Sequence, residues 1–208
     1  MERKLTNRQK QANQTKTRIY DCAFALFKEN NYEDVTINLI CETAQVSVGN
    51  FYHYYSSKDE LLLSSYPMFD KFVEEDLAQK EYPCYIDGIR DLIYHQAYGY
   101  KAYMPSILGQ ILRLQLSKDK YVIKESRFFH KYLKHLVEQA LEAGELHPSY
   151  QSDEIVETIL RISRGVLFDW VLRSGIYAPE EKAMHDLNHI LKAFQMPMEM
   201  PISRPPIC

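Results

Sequence analysis

The sequence predicts an all-α fold, on three observations. Only seven glycines occur in 208 residues and none cluster, so long runs free of Gly and Pro favour helices over many short strands. Apolar residues recur at helical spacing in most segments. Residues 36–62 read as two short helices joined by a tight turn, with a third starting at once. That is a helix-turn-helix, whose second helix can lie in the DNA major groove.

The local chemistry of residues 36–62 supports each boundary. Thr36 and Ser47 are suited to N-cap the two short helices. Ser57 and Glu60 fit a capping box that opens the next helix. Ile37, Ile40, Cys41 and Ala44 fall on one face, and Val46 plugs the turn. Gln45 stands where the turn needs a positive backbone angle, with slight strain as the expected consequence.

The other elements follow from periodicity and punctuation. A first helix spans residues 15–30, with Ile19, Ala23, Leu26 and Phe27 as its stripe. It stops at Asn30-Asn31, where asparagine tolerates a left-handed C-terminus. A long helix over residues 57–79 contains Pro67, which should kink or interrupt it. Helices follow over residues 83–103, 105–116 and 119–143, the last stopped by Gly144. Residues 152–174 carry two apolar faces, Ile155, Ile159, Ile162, Val166 and Trp170 on one, Val156, Leu160, Leu167 and Val171 on the other. Such a helix must be covered on both sides, one side by its own chain and the other by a second subunit. Gly165 would permit a close crossing there. The last helix, residues 179–194, carries Met184, Leu187, Leu191 and Phe194, and the proline-rich tail 196–208 reads as disordered.

Charge and cysteine usage bound the function. The net charge is −3, so the chain as a whole is not a basic nucleic-acid binder. Arg3, Lys4, Arg8, Lys10, Lys16 and Arg18 face Glu2 alone in the first 18 residues. Such an arm can reach phosphates; the plain alternative for residues 1–12 is a frayed, solvated end. Four scattered cysteines, no signal-peptide core and no bilayer-length apolar run suit a cytoplasmic protein with reduced thiols and no membrane partner. No glycine-rich phosphate loop, nucleophile elbow or paired-cysteine motif occurs, which argues against an enzyme. His185 and His189 stand four apart on one helical face, but Asp186 replaces the Glu of a zinc protease and no third ligand is evident. Neither a metal nor a cofactor is expected.

The run Val46-Ser47-Val48-Gly49-Asn50-Phe51-Tyr52-His53-Tyr54-Tyr55, followed by Ser57-Lys58-Asp59-Glu60-Leu61, resembles the TetR (tetracycline-repressor-like) family of bacterial transcription regulators. The resemblance covers about residues 15–63. It implies a helix-turn-helix DNA-binding domain with its arm at 1–64 and a larger helical effector-binding and dimerisation domain at 65–195. It also implies a ligand-responsive repressor that binds a palindromic DNA operator as a homodimer. A DNA-binding or protein-interaction protein of the same fold without an effector is the alternative.

The resemblance and the chemistry together nominate site residues. Thr36, Ser47 and Lys58 would share phosphates with helix N-termini. Val48 can touch a thymine methyl or merely exclude water, and Gly49 leaves no side chain between backbone and DNA. Asn50, where the family commonly has threonine, can pair with an adenine edge or a phosphate. Tyr52 and His53 stand where the family meets phosphate or base edges, Tyr54 lies along the backbone, and Phe51 and Tyr55 pack the small core. Tyr94, Tyr98, Tyr103, Arg113, Phe128, Phe129, Tyr132 and Trp170 are candidates to line a pocket for an unidentified small molecule, with ordinary core packing as the alternative for each. Ile155, Ile159, Ile162, Val166, Leu187, Leu191 and Phe194 are assigned to the dimer interface.

Overall fold

The computed structural model describes residues 6–101, 103–117 and 121–197, and among them there is no strand. Ten α-helices follow in order: α1 (Asn7–Glu29), α2 (Ile37–Ala44), α3 (Val48–Tyr54), α4 (Lys58–Leu63), α5 (Ser65–Glu75), α6 (Tyr85–Lys101), α7 (Pro105–Ser117), α8 (Phe128–Glu142), α9 (Ser152–Leu172) and α10 (Pro179–Phe194). The chain divides into two compact units, residues 1–68 with 103–123, and residues 69–102 with 124–208. Helix α7 therefore groups with the N-terminal unit, which a boundary drawn at one point of the chain does not provide for. Arg3, Lys4 and the tail after residue 197 lie outside the described residues.

In the first unit α1 packs on α2, α2 on α3 and α4 on α7. Ile19, Ala23 and Phe27 of α1, Ile40 and Ala44 of α2, Phe51 of α3 and Leu61 and Leu62 of α4 are buried. Helix α1 begins at Asn7, eight residues before the expected start at residue 15. The cause is a capping box: Thr6 Oγ1 accepts from the Gln9 amide at 3.3 Å, and the Gln9 side chain accepts from the Thr6 amide at 2.8 Å. Neither Asn30 nor Asn31 is left-handed. Asn30 is extended and closes α1 by donating its amide and its side-chain nitrogen to the Leu26 carbonyl. The long helix expected over residues 57–79 is divided. It breaks at Ser64, and Pro67 sits in the first turn of α5, where its missing N–H is tolerated.

In the second unit α6 packs on α8, α9 and α10, and α9 also packs on α8 and α10. The core is aliphatic, with Ile89, Leu92, Leu133, Val137, Ile155, Ile159, Leu187 and Leu191 near its centre. Gly88 lets α6 approach α8 closely, because a Cβ there would lie 2.9 Å from a Leu136 methyl, which would have to shift. Glu145 caps α6 from across the unit, accepting the Tyr85 and Ile86 amides at 3.0 and 2.9 Å. Helix α8 starts at Phe128 and not at residue 119. Asp70 fixes that start by accepting the Phe129 amide at 3.3 Å and a two-pronged bond from Arg127 at 2.9 and 3.0 Å. Gly144, at φ 72°, ends the α8 segment as expected.

Candidate DNA-binding site

The turn between α2 and α3 is built by its own residues. Thr36 Oγ1 accepts from the Leu39 amide at 3.1 Å and Ser47 Oγ from the Asn50 amide at 3.1 Å, so both short helices are N-capped as their sequence indicates. Gln45 takes φ 52°, ψ 50°. Its amide bonds the Glu42 carbonyl and the Val46 amide the Cys41 carbonyl, a Schellman closure built on a non-glycine residue. At the start of α4, Ser57 Oγ accepts the Glu60 amide at 3.1 Å, but the Glu60 carboxylate reaches back to the Ser56 amide at 2.7 Å. The box is displaced by one residue from the expected Ser57 pairing.

Helix α3 has an inner and an outer side. Phe51 and Tyr55, four apart, are buried. Ser47, Val48, Gly49, Asn50, Tyr52 and His53 are exposed, with Tyr52 at 54% and Val48 at 41%. Tyr54 is half-buried against His53, ring centroids 4.9 Å apart. The outer side thus offers a hydroxyl, an amide, an imidazole, an isopropyl group and bare backbone within two turns. Those are the group types that meet base edges, a thymine methyl and phosphate oxygens. Thr36 is exposed on the same helix-turn-helix.

Lys58 is placed differently from a free phosphate-binding ammonium. Its Nζ donates to the Tyr32 and Val35 carbonyls, the latter at 2.8 Å, and lies 4.2 Å from the Tyr32 ring centroid. Burial lowers its pKa, against the carboxylates of Glu33, Asp59 and Asp34, which act to raise it. Tyr32 in turn donates its hydroxyl to Asp59 at 2.6 Å. Two of the three ammonium donors are spent on tying α4 to the loop before α2. Tyr32 is a site-supporting residue that sequence reasoning missed; its place just past the end of α1 gave no periodic signal.

The eight candidate pocket residues are not one set. Tyr103 belongs to the first unit, its hydroxyl 2.9 Å from that of Tyr20 and its ring 4.9 Å from Phe24. Arg113, also in the first unit, is exposed and pairs with Glu33 at 3.6 Å. In the second unit Phe129 and Trp170 are buried, and Trp170 donates its indole N–H to the Tyr177 carbonyl at 2.9 Å. Tyr132 donates to the Leu77 carbonyl at 3.2 Å, and Phe128 stacks on it. Tyr94 and Tyr98 stack on each other on the exposed side of α6. An open depression of about 450 Å³, lined by Lys80, Tyr82, Asp87, Arg90, Asp91, Tyr94 and Met184, shares only Tyr94 with the predicted set.

The predicted dimer residues require correction. Ile155, Ile159, Val166, Leu187, Leu191 and Phe194 are all buried within the single chain, and Ile162 alone is half-buried. Both apolar sides of α9 are covered by the chain's own α6, α8 and α10, so these six have no surface left for a partner. Toward and just past the C-terminal end of α9, Phe168, Leu172 and Ile176 are exposed, at 52, 67 and 76%. Gly165 is exposed beside them, with nothing within 4 Å of a Cβ built there. His185 and His189 are exposed on α10, and no group of three or more metal-ligating side chains occurs among the described residues.

Residues 19–64 match the family model described as "Bacterial regulatory proteins, tetR family". The chain is 26% identical over 178 residues to the HTH-type transcriptional regulator UidR of Escherichia coli (strain K12), covering 79% of this chain and 86% of that one. Among solved structures it is similar to FadR from Bacillus subtilis in complex with stearoyl-CoA, with a TM-score of 0.60, 18% identity, and coverage of 88% of this chain and 99% of that one. It is also similar to Salmonella enterica GusR, with a TM-score of 0.64, 17% identity, and coverage of 91% and 100%. A capped helix-turn-helix with an outward polar and aromatic face, in a chain similar to these transcriptional regulators, defines a DNA-binding transcriptional regulator and not an enzyme. Over its N-terminal helix-turn-helix the chain is similar to the tetR family of bacterial regulatory proteins.

Proposed function

We propose that this regulator is a repressor that binds a palindromic operator as a two-fold dimer and leaves it when a small organic molecule binds the second unit. The observation that carries the DNA-binding part is the exposure of Asn50, Tyr52 and His53 on a helix anchored from behind by Phe51 and Tyr55. One such helix makes few base contacts, and a two-fold pair sets two of them on one duplex face at multiples of about 34–36 Å. The exposed α9 residues Gly165, Phe168 and Leu172 support dimerisation through α9 in place of the buried residues first assigned. The cysteines Cys22, Cys41 and Cys84 are free, in keeping with work in a reducing cytoplasm.

The effector part is supported by similar solved structures, one in complex with stearoyl-CoA and another with lauroyl-CoA. An inducer acts by binding the non-operator state better than the DNA-bound one. An effector-independent repressor is the second reading, favoured by the burial of Phe129 and Trp170 and the internal bond of Tyr132. Titration of the protein against the DNA flanking its own gene, with and without small-molecule libraries, separates the two. Release by one compound class supports the sensor. Binding indifferent to every compound, while both chains of a dimer occupy the site, supports the second reading. A monomer that binds no duplex would remove both.

A further inference from the structure

We propose that His185 and His189 of α10 form a chelating site for one divalent ion that prefers nitrogen ligands, such as zinc or nickel. The site is separate from the DNA-reading face and goes beyond it. In the sequence the two histidines stand four apart, which sets their Cβ atoms about 5–6 Å from each other on one helical face. The fold adds how the two rings are held and which nitrogen each leaves free.

The Nδ1 of His185 lies 2.9 Å from Asp186 Oδ1, and the Nδ1 of His189 lies 2.7 Å from the His185 carbonyl oxygen. A carboxylate and a carbonyl oxygen can only accept. Each Nδ1 therefore carries the proton and donates it, and each neutral ring keeps a lone pair on Nε2. Metal-ligating histidines almost always bond their other ring nitrogen to a carboxylate, a backbone carbonyl or water. Here one ring has the carboxylate and its neighbour the carbonyl. Asp186 is itself held in place, because Lys182 donates to the same Oδ1 at 2.7 Å.

The ring separation agrees with chelation. Two imidazoles that aim Nε2 at one ion about 2.0–2.1 Å away, roughly at right angles to each other, have centroids about 4.5 Å apart. The separation in this chain is 4.5 Å, with the planes 46° apart. The backbone beneath the pair is anchored. Ala183, Leu187 and Leu191 are buried on the opposite side of α10, which packs on α6 and α9. Both histidines are exposed, so an ion reaches them without any opening of the fold.

Among the described residues no third His, Cys, Asp or Glu side chain completes the pair. That rules out the closed four-ligand set of a structural zinc, and two imidazoles with water suffice for an open site. Imidazole suits zinc, copper and nickel, whereas magnesium takes oxygen. A bound ion ties two successive turns of α10 together and exists only while they are helical, so it stabilises the folded chain.

The test is calorimetric titration of the untagged full chain with Zn²⁺, Ni²⁺ and Mg²⁺. The proteins compared are wild type, either single variant His185→Gln or His189→Gln, the double variant, and Asp186→Asn. Circular dichroism without metal checks that each keeps the wild-type helix. Wild type should bind one Zn²⁺ or Ni²⁺ per chain, give no saturable binding of Mg²⁺, and melt at a higher temperature with Zn²⁺ than without. Asp186→Asn keeps both imidazoles and should weaken the site about tenfold, the lower end for a partner behind a ligand. Each single glutamine variant should weaken it by more than that, and the double variant should lose both the site and the rise in melting temperature. Zn²⁺ binding that survives in the double variant belongs to other thiols or imidazoles and overturns the proposal. So do equal affinities for Zn²⁺ and Mg²⁺, an unweakened Asp186→Asn, or one ion per two chains, which would make the site a joint one between copies.

Discussion

The ammonium of Lys58 sits 4.2 Å from the Tyr32 ring centroid and 2.8 Å from the Val35 carbonyl oxygen, and Tyr32 bonds Asp59, the neighbour of Lys58. The first turn of α4 and the loop before α2 are thus one locked unit. Lys58→Ala leaves the Tyr32 and Val35 carbonyls without their ammonium donor. It should lower unfolding stability by about 1–3 kcal/mol as well as weaken DNA binding. Urea unfolding measured beside operator titration checks it. An unchanged midpoint with a salt slope flattened by about 0.9 would instead make Lys58 a plain phosphate contact.

Asn50→Ala should relax discrimination at one base position, by about 1–3 kcal/mol if the amide reads an adenine edge. Its melting temperature should stay within a degree or two of wild type, because the side chain is exposed. A binding series over all single-base operator variants shows it. A uniform loss across all sequences would assign Asn50 to the backbone.

Gln45 holds a left-handed conformation that costs an ordinary residue roughly 1–2 kcal/mol, and glycine gives back about half of that through its own chain entropy. Gln45→Gly should therefore raise stability by about 0.5–1 kcal/mol without touching DNA affinity. Chemical denaturation of the two proteins is sufficient. A destabilised glycine variant would mean that the Gln45 side chain makes a compensating contact.

Phe168→Glu combined with Leu172→Glu should convert a dimer to a monomer on sedimentation and abolish tight operator binding while leaving the helical signal intact. Ile159→Ala, in the core, should instead lose about 2–5 kcal/mol of stability and dimerise normally once folded. A double glutamate variant that remains dimeric would move the interface off this strip.

His130 supplies a pH dependence. Burial pushes its pKa from 6.5 down to about 4, helped by Arg127 and Arg164. The folded state then binds fewer protons than the unfolded one between those values. Stability from this group is complete above pH 6.5 and falls as pH drops toward 4, by up to roughly 3 kcal/mol. His130→Gln should flatten the stability–pH curve across that window. A curve of the same slope would show that other groups carry it.

Much of the N-terminal unit was legible because its signals are local. Thr36 and Ser47 cap by bonding a backbone three residues on, and Gln45 follows from turn geometry alone. The Thr6-x-x-Gln9 signature was equally local and marks the true start of α1, but no apolar stripe follows it until Ile19. The rest was hidden because it depends on distant partners. Periodicity showed that α9 has two apolar sides, but could not say that one chain covers both. Nothing near residue 127 announces that Asp70 sets the start of α8, and Tyr103 gives no sign that Tyr20 binds it.

The most direct test of the DNA-reading face is fluorescence anisotropy with a labelled duplex from the gene's own upstream region, comparing wild type with Tyr52→Ala. Wild type should saturate at two chains per site and prefer that duplex over a scrambled one. Tyr52→Ala should bind it at least about tenfold more weakly, a loss of about 1.4 kcal/mol, with unchanged thermal melting. Equal affinity of the two proteins for both duplexes would contradict the assignment of α3 as the recognition helix.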